Sequence, residues 1–324
     1  MAVQEEMPAG SIDAHAHWTP EPYVKELAGL GRAASGNALV PQMYDLPQRL
    51  AWMDERNVKM HVLTLSGQAP WQWASQEIAN KLARIVNDAA IEAHKAFPDR
   101  FVAGIAIPMR DARAALRELD RVAGQPGIRA IHLPNSVEGR DYIFEPQYEP
   151  LIARCEELGY PILFHPLDGV PNHYGGPERL AGATFIYNTL GFPFETATTA
   201  AKFIISGLLD KYPKLDILLP HSGGCFPYIA GRIEHSIRKG VTNIELKRPF
   251  REYVRRFYYD SLAYYPETLK FMIDLVGADR VVIGTDNYAK MDVDQPNALT
   301  QSLGLPQADL DLVLRGNAKR LFRL

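Results

Sequence analysis

The strongest constraint on the fold is an alternation of short apolar runs with longer amphipathic segments along the whole chain. The runs are rich in β-branched residues, as in "KMHVLTLS" at 59–66 and "IRAIHLP" at 128–134, which is typical of buried strands. The other runs are "SIDAHAH" at 11–17, "FVAGIAIP" at 101–108, "PILFHP" at 161–166, "KLDILLPH" at 214–221, "FYYDSL" at 257–262 and "VVIGTD" at 281–286. Strands that alternate with helices form parallel sheets, so eight of them predict a (β/α)8 TIM barrel of the α/β class.

The segments between these runs carry helical periodicity. One predicted helical face carries Ile78, Leu82, Ile85, Val86 and Ala89. The segments "EPQYEPLIARCEELGY" and "PETLKFMIDLVG" each reach a glycine at or near their end, and glycine favours the termination of a helix. Each strand is therefore followed by a candidate helix, as a barrel requires.

Two connections are longer than a simple turn. Residues 18–45 follow strand one and residues 167–195 follow strand five. In a barrel the loops after strand carboxyl ends build the active site, so we expect these short insertions to form a lid or pocket wall; surface decoration is the alternative. The sequence shows no internal repeat or linker, and we expect residues 1–324 to form one domain.

Composition excludes several classes of protein. The formal net charge of -3, from 35 basic and 38 acidic residues, provides no basic field for nucleic acid. The two cysteines, Cys155 and Cys225, lack the spacing of a thiolate metal site or a disulfide framework, which fits the reducing cytoplasm. No uncharged apolar run reaches the length of a membrane span. We expect a soluble cytoplasmic protein with no nucleic-acid or membrane partner.

Polar residues stand at or near the predicted ends of four strands. His15 and His17 point to the same side of strand one, because residues two apart in a strand share a face. His165, His221 and Asp286 stand at the predicted ends of strands five, six and eight. Each alone could be a packed histidine or a turn-forming aspartate. In a barrel, however, these ends converge on one mouth, where three imidazoles and a carboxylate can bind a divalent metal.

Motifs along nearly the whole chain carry a family resemblance. They are "IDAHAHW", "RLAWMDERNV", "ILFHP", "FET" at 194–196, "LPHSGGCFPYIAGRIEH", "VIGTDNY" and "GNAKRLF". On these residues the chain resembles the amidohydrolase superfamily, in the amidohydrolase 2 branch that contains aminocarboxymuconate semialdehyde decarboxylase and related aromatic acid decarboxylases. The block from His221 to Glu234 is the most specific of them.

The resemblance implies roles for the polar residues. It makes His15, His17, His165 and Asp286 metal ligands and His221 the catalytic acid/base, with Asp286 also able to accept or donate a proton. The bridging lysine of binuclear members has no counterpart in "IRAIHLPN", so a single divalent ion is implied. The expected metal is Zn²⁺, with Mn²⁺ as the alternative.

Substrate contacts are also implied. Arg232 matches a family arginine that reaches across a dimer interface to the substrate carboxylate, which implies a homodimer; pairing with Glu195 or Glu234 on the same chain is the alternative. The second substrate-binding arginine of aminocarboxymuconate semialdehyde decarboxylase is missing from "NALVPQMYDLPQ", which argues against that enzyme's dicarboxylate.

Three further residues are candidates for contact with the substrate. Trp18 follows the strand-one histidines directly, and His173 lies in the long connection after strand five. His132, at the end of strand four, either touches the substrate or is a satisfied structural histidine.

The resemblance, together with the predicted metal site, implies a metal-dependent, non-oxidative decarboxylase of an aromatic or unsaturated cyclic carboxylic acid, a small-molecule substrate. A lactonase-like hydrolase or a hydratase with the same metal is the alternative, since activated water could use the same centre. A ligand-binding barrel without catalysis is a third hypothesis.

Overall fold

The computed structural model describes residues 10–32, 40–65, 70, 73–137, 139–166, 187–241, 243–289 and 291–324. Eight parallel strands form one sheet in sequential order. They are β1 (Ser11–Trp18), β2 (Val58–Leu65), β3 (Phe101–Ala106), β4 (Ile128–Pro134), β5 (Ile162–His165), β6 (Ile217–Leu219), β7 (Phe257–Asp260) and β8 (Val281–Val282). Parallel bridges from Asp13 to Ile283 and from Ala16 to Asn287 join the first strand to the region of the last. The predicted TIM barrel is confirmed.

Helices connect the strands. In the described residues they are Glu21–Gly29, Leu46–Glu55, Gln76–Ala96, Ala112–Val122, Glu149–Leu158, Phe192–Ile205, Leu208–Lys211, Phe226–Arg238, Phe250–Val254, Pro266–Val276, Ala298–Gln301, Gln307–Asp311 and Asn317–Phe322. The glycines expected to end two of them, Gly159 and Gly277, have φ values of 66° and 89°, a region that glycine adopts without steric cost. No described helix is long and apolar enough to cross a membrane.

The barrel interior is filled by apolar side chains up to the level of the polar residues. We call this group the apolar floor; its members are Ile12, Ala14, Val62, Val102, Ala130, Leu163, Leu218, Tyr258 and Val282, with Ala318, Leu321 and Phe322 from the last helix. On β5, for example, Leu163 belongs to the floor and His165 follows two residues later. The floor therefore leaves only the carboxyl-terminal end of the barrel for a functional site.

Five strands, β3 and β5 to β8, end earlier than the sequence predicts, and two of them end before a candidate site residue. His165 is the last residue of β5, but β6 stops at Leu219 and β8 at Val282. Pro220 cannot donate a hydrogen bond to the sheet, which ends β6. His221 and Asp286 have left-handed φ values of 53° and 56°, so both lie on loops just past their strands.

The two predicted insertions are described in part. The first contains the helix Glu21–Gly29 and the short 3-10 turn Pro41–Met43, while residues 33–39 lie outside the described part. Residues 167–186 of the second insertion also lie outside it. The end of the second insertion belongs to the helix Phe192–Ile205, so it is shorter than the sequence predicts.

Candidate active site

Three histidines and one aspartate meet at the carboxyl-terminal mouth of the barrel. We call His15, His17, His165 and Asp286 the four-donor cluster, because one ligand atom from each lies within 4.8 Å of the others. Asp286 Oδ1 is 2.9 Å from His17 Nε2, 3.5 Å from His15 Nε2 and 3.9 Å from His165 Nε2. A tetrahedral zinc site with bonds of about 2.0–2.1 Å separates its ligand atoms by roughly 3.4 Å. The cluster therefore has the dimensions of a site for one divalent ion.

The irregular register of β1 sets the positions of the first two donors. Between Asp13 and Ala16 the pairing with β2 shifts, as at a bulge, which redirects side chains. Asp13 Oδ1 accepts a hydrogen bond from the His15 backbone N–H (3.0 Å), and its other oxygen accepts one from Thr285 Oγ1 (2.5 Å). The backbone N–H of Asp286 in turn donates to the carbonyl of His15 (3.0 Å). These bonds tie the His15 segment to the loop that carries Asp286.

The Nδ1 atom of each imidazole in the cluster faces a polar group behind it. His15 Nδ1 lies 2.7 Å from Asp260 Oδ2, and His165 Nδ1 lies 2.6 Å from the Pro166 carbonyl. His17 Nδ1 is 3.4 Å from Thr64 Oγ1. A partner at Nδ1 fixes the tautomer and the ring orientation of a metal-binding histidine. All three rings consequently present Nε2 to the cluster.

Asp260, at the end of β7, is a functional candidate that the sequence analysis missed. It is fully buried, and its Oδ2 accepts hydrogen bonds from both His15 Nδ1 (2.7 Å) and the backbone N–H of His221 (2.8 Å). Oδ1 accepts from the backbone N–H groups of Ser222 (2.7 Å) and Leu262 (3.1 Å). Burial favours a higher pKa, but the bond from His15 and nearby positive charge hold the pKa of Asp260 below its usual value. The available signal was an aspartate at the end of a predicted strand, "FYYDSL".

His221 stands beside the four-donor cluster rather than within it. Its Nε2 lies 3.8 Å from Asp286 Oδ2, and its ring stacks on Phe192 with centroids 6.4 Å apart. Its Nδ1 is buried and has no hydrogen-bond partner among the described residues. This arrangement leaves the imidazole available for proton transfer next to a metal site.

The electrostatics of the cluster suit a bound cation. Burial lowers the pKa of His17, and burial together with nearby positive charge holds that of His165 well below its usual value, so both rings are neutral near pH 7. Burial opposes ionisation of Asp286, but its contacts with His17 and His221 and the charge of His15 bring its pKa well below the usual range. His15 Nε2 is buried and has no hydrogen-bond partner in the described part of the chain. Neutral imidazoles, an ionised carboxylate and an orphaned ring nitrogen fit a divalent metal.

A buried arginine supports the cluster from behind β1. Arg49 is fully buried, and its Nη2 donates to the His17 carbonyl (2.5 Å), while its Nη1 lies 3.0 Å from His61 Nδ1. Burial lowers the pKa of Arg49 to about 10, and burial with the charge of Arg49 lowers that of His61 well below the usual value. Arg49 therefore remains charged at neutral pH, and its hydrogen bond to the His17 carbonyl fixes the backbone at the end of β1.

The predicted substrate contacts are not gathered at the cluster. Arg232 is exposed on the helix Phe226–Arg238 and forms no ion pair with any described residue, so the alternative pairing with Glu195 or Glu234 does not occur. Trp18 is buried in the outer core and lines a cleft with residues such as Leu46 and Ile85.

The other two predicted substrate contacts are the histidines His173 and His132. His173 lies outside the described residues. His132, by contrast, is at the mouth, with its ring centroid 6.4 Å from that of His17 and 6.1 Å from that of His165. Burial and the charges of His17 and His15 lower the pKa of His132 well below its usual value.

Comparisons with known proteins find decarboxylases of similar length. The chain is 30% identical to gamma-resorcylate decarboxylase of Rhizobium sp. (strain MTP-10005), over 97% of the chain and 98% of that protein. It is 27% identical to 2-amino-3-carboxymuconate-6-semialdehyde decarboxylase of Dictyostelium discoideum, over 95% and 90%. The solved structure of dihydroxybenzoic acid decarboxylase from Polaromonas sp. JS666, with bound manganese and the inhibitor 2-nitroresorcinol, matches with a TM-score of 0.83 and 28% identity, covering 98% of each chain.

The family assignment rests on the whole barrel. The amidohydrolase family model matches residues 12–324, which includes every member of the four-donor cluster and His221. The chain therefore belongs to the amidohydrolase family.

Proposed function

We propose that this protein is a metal-dependent, non-oxidative decarboxylase of an aromatic or unsaturated cyclic carboxylic acid. The observation that carries the proposal is the position of His221, whose Nε2 lies 3.8 Å from Asp286 Oδ2 at the edge of the four-donor cluster. A proton-transfer group beside a cation site is what this reaction needs. The relatives support the same chemistry, because the proteins from Rhizobium, Dictyostelium and Polaromonas are all decarboxylases.

One divalent ion would be held by His15, His17, His165 and Asp286. When bound, such an ion supplies positive charge that holds oxygen atoms of the acid and orients its ring. We propose Zn²⁺, because three imidazoles and one carboxylate are typical zinc ligands. Manganese is the competing metal, since the Polaromonas enzyme was solved with it. Elemental analysis of protein purified without added metal decides between them.

The residues of this chain can carry the proton through the reaction. His221 delivers a proton to the ring carbon that bears the carboxylate, and Asp286, within 3.8 Å of His221 Nε2, stabilises the charged imidazolium before the transfer. The bond from that carbon to the carboxylate then breaks, its electron pair stays with the ring, and carbon dioxide leaves. The ring of Phe192, stacked on His221, shields this face from water.

The remaining contacts and the assembly are part of the same proposal. We expect a homodimer in which Arg232 reaches the acid bound by the partner subunit. The exposure of Arg232 and its lack of an ion pair among the described residues support this.

Trp18 and His173 stay predicted substrate contacts. Residues 1–324 are proposed to form one domain. A cytoplasmic location is supported by two free cysteines, Cys155 and Cys225.

Carbon dioxide release tests the proposal. Metal-loaded protein is mixed with a panel of ortho-hydroxy and ortho-amino aromatic acids that includes 2,6-dihydroxybenzoate, and ultraviolet spectra are recorded in parallel. We expect release that disappears after metal removal and returns on adding the metal back. Turnover of a lactone or a hydratable diacid, with no carbon dioxide from any acid, would instead establish the hydrolase or hydratase alternative.

A further inference from the structure

His132 differs from His61 and His94, two other histidines that lie outside the four-donor cluster. It is the fifth residue of β4 and only 6% exposed, yet its ring forms no hydrogen bond or ion pair with any described residue. His61, by comparison, is bonded to Arg49, and His94 Nδ1 is 2.7 Å from the Phe101 carbonyl. The ring nitrogens of His132 are not cut off from solvent, because they are not among the described buried polar atoms that lack a partner, so a small polar group can reach them. The hypothesis of a satisfied structural histidine therefore fails for His132.

A small cavity that is lined in part by His132 borders the cluster. The cavity has room for about one water molecule. It is lined by Ala14, His15, Thr64, His132, Leu163, Phe164, His165, Leu218, Pro220 and Asp260. The ring centroid of His132 lies 6.4 Å from that of His17 and 6.1 Å from that of His165, so His132 is a direct neighbour of the four-donor cluster.

The polar groups that line this cavity are already engaged, with one exception. His15 and His165 belong to the four-donor cluster, and Asp260 accepts several hydrogen bonds. Thr64 Oγ1 lies 3.4 Å from both the Ala16 carbonyl and His17 Nδ1. Of the described polar residues that line the cavity and lie outside the four-donor cluster, only His132 makes no side-chain hydrogen bond. A neutral imidazole offers one N–H donor and one acceptor.

We propose that His132 is a substrate-binding residue whose ring N–H donates a hydrogen bond to an oxygen atom of the acid held at the four-donor cluster. This inference rests on the proposed function and names a further contact for the same substrate. The oxygen belongs either to the carboxylate or to a substituent ortho to it. A hydrogen bond to a charged oxygen changes affinity by about ten- to hundred-fold, so His132 would select acids that place an oxygen there.

Binding of an unreactive probe tests this contact. The probe is 2-nitroresorcinol, which has no carboxylate to lose and is the inhibitor in the Polaromonas structure. Its dissociation constant is measured by calorimetry on metal-loaded wild type, His132→Leu and His132→Gln. We expect about ten- to hundred-fold weaker binding in His132→Leu and recovery of most of the affinity in His132→Gln. Metal content should stay at the wild-type value in both.

The matched control is His94→Leu, which removes a histidine whose ring already bonds to the Phe101 carbonyl. We expect it to lower the thermal unfolding temperature and to leave probe affinity unchanged. His132→Leu should instead weaken probe binding without lowering the thermal unfolding temperature, because it replaces an unpaired polar group by an apolar one. Equal probe affinity in wild type and His132→Leu, or loss of metal from His132→Leu, would overturn the proposal.

Two simpler acids identify the oxygen, and one assay separates this inference from the proposed function. A loss of affinity in His132→Leu for both benzoate and 2-hydroxybenzoate assigns the contact to the carboxylate. A loss for 2-hydroxybenzoate alone assigns it to the ortho oxygen.

Probe binding that depends on His132, with no carbon dioxide release from the acid panel, would support the contact and overturn the proposed decarboxylase activity. A wild-type protein that binds none of these probes would overturn both.

Discussion

The two ends of the barrel interior are built by the same strands and obey different rules. At the apolar floor, side chains such as Leu163 and Leu218 need only matching shape, because they have no hydrogen bonds to satisfy. At the mouth, His165 on β5 and His221 just after β6 are polar, buried or half-buried, and depend on specific partners. The comparison shows that the apolar floor contributes stability, whereas the polar groups concentrated at the mouth are energetically unfavourable unless their partners are in place.

The partners at the mouth are shared among several candidate functional residues. Asp260 alone bonds the ring of His15 and the backbone of His221. Replacing one side chain at the mouth should therefore change the positions of several others. Replacing one in the apolar floor should only remove packing contacts and lower the stability of the fold. Substitutions at the two ends should therefore separate a loss of metal and activity from a loss of stability.

The largest expected effect comes from removing a cluster member. His165→Ala should lose most bound metal and at least about 1,000-fold in activity, because a catalytic ion supplies several kcal/mol of charge stabilisation. His221→Asn should keep the metal and lose about 100- to 10,000-fold, the range for general acid–base catalysis. Both are measured by elemental analysis and carbon dioxide release. His235→Ala, an exposed helix residue, is the control; stoichiometric metal in His165→Ala would refute the ligand assignment.

A change in the apolar floor should affect stability alone. Leu321→Ala, 1% exposed in the wild type, should lower the free energy of unfolding by about 2–5 kcal/mol, the range for buried leucines. Metal content and activity of the folded protein should stay at wild-type values, as measured by denaturant titration and activity assays. The control Leu190→Ala, at a position 53% exposed, should change stability by less than about 0.5 kcal/mol. Lost metal in folded Leu321→Ala would show that the two ends are coupled.

The smallest expected effect sharpens the comparison within the mouth. Asp260→Asn keeps the side-chain volume but turns one accepting oxygen into a donor facing N–H groups. We expect about 10- to 100-fold weaker metal binding, the usual effect of losing a partner that orients a metal ligand, with a parallel loss of activity. Metal titration measures the affinity, and Asp274→Asn, at a surface ion pair with Lys270, is the control. Unchanged affinity would mean that the bond from His15 does not orient the ring.

Much of the architecture could be predicted from the pattern of the chain. β4 was predicted residue for residue at 128–134, because a buried parallel strand is a continuous apolar run. β6 and β8 were predicted too long, at 214–221 and 281–286, where the structure has Ile217–Leu219 and Val281–Val282; Pro220 ends β6 because it has no N–H to donate. Local sequence does not reveal where the sheet stops pairing, because pairing depends on the neighbouring strand.

The sequence by itself determined the order of strands and helices and the residue types at the strand ends, because periodicity and donor chemistry are local properties. Only the tertiary structure decided that the four donors lie within 4.8 Å of one another, that Asp260 links His15 to His221, and that His132 has no hydrogen-bond partner among the described residues. Those facts depend on distances between strands far apart in the chain. A hydrogen bond or an unpaired donor exists only once barrel closure has fixed those distances.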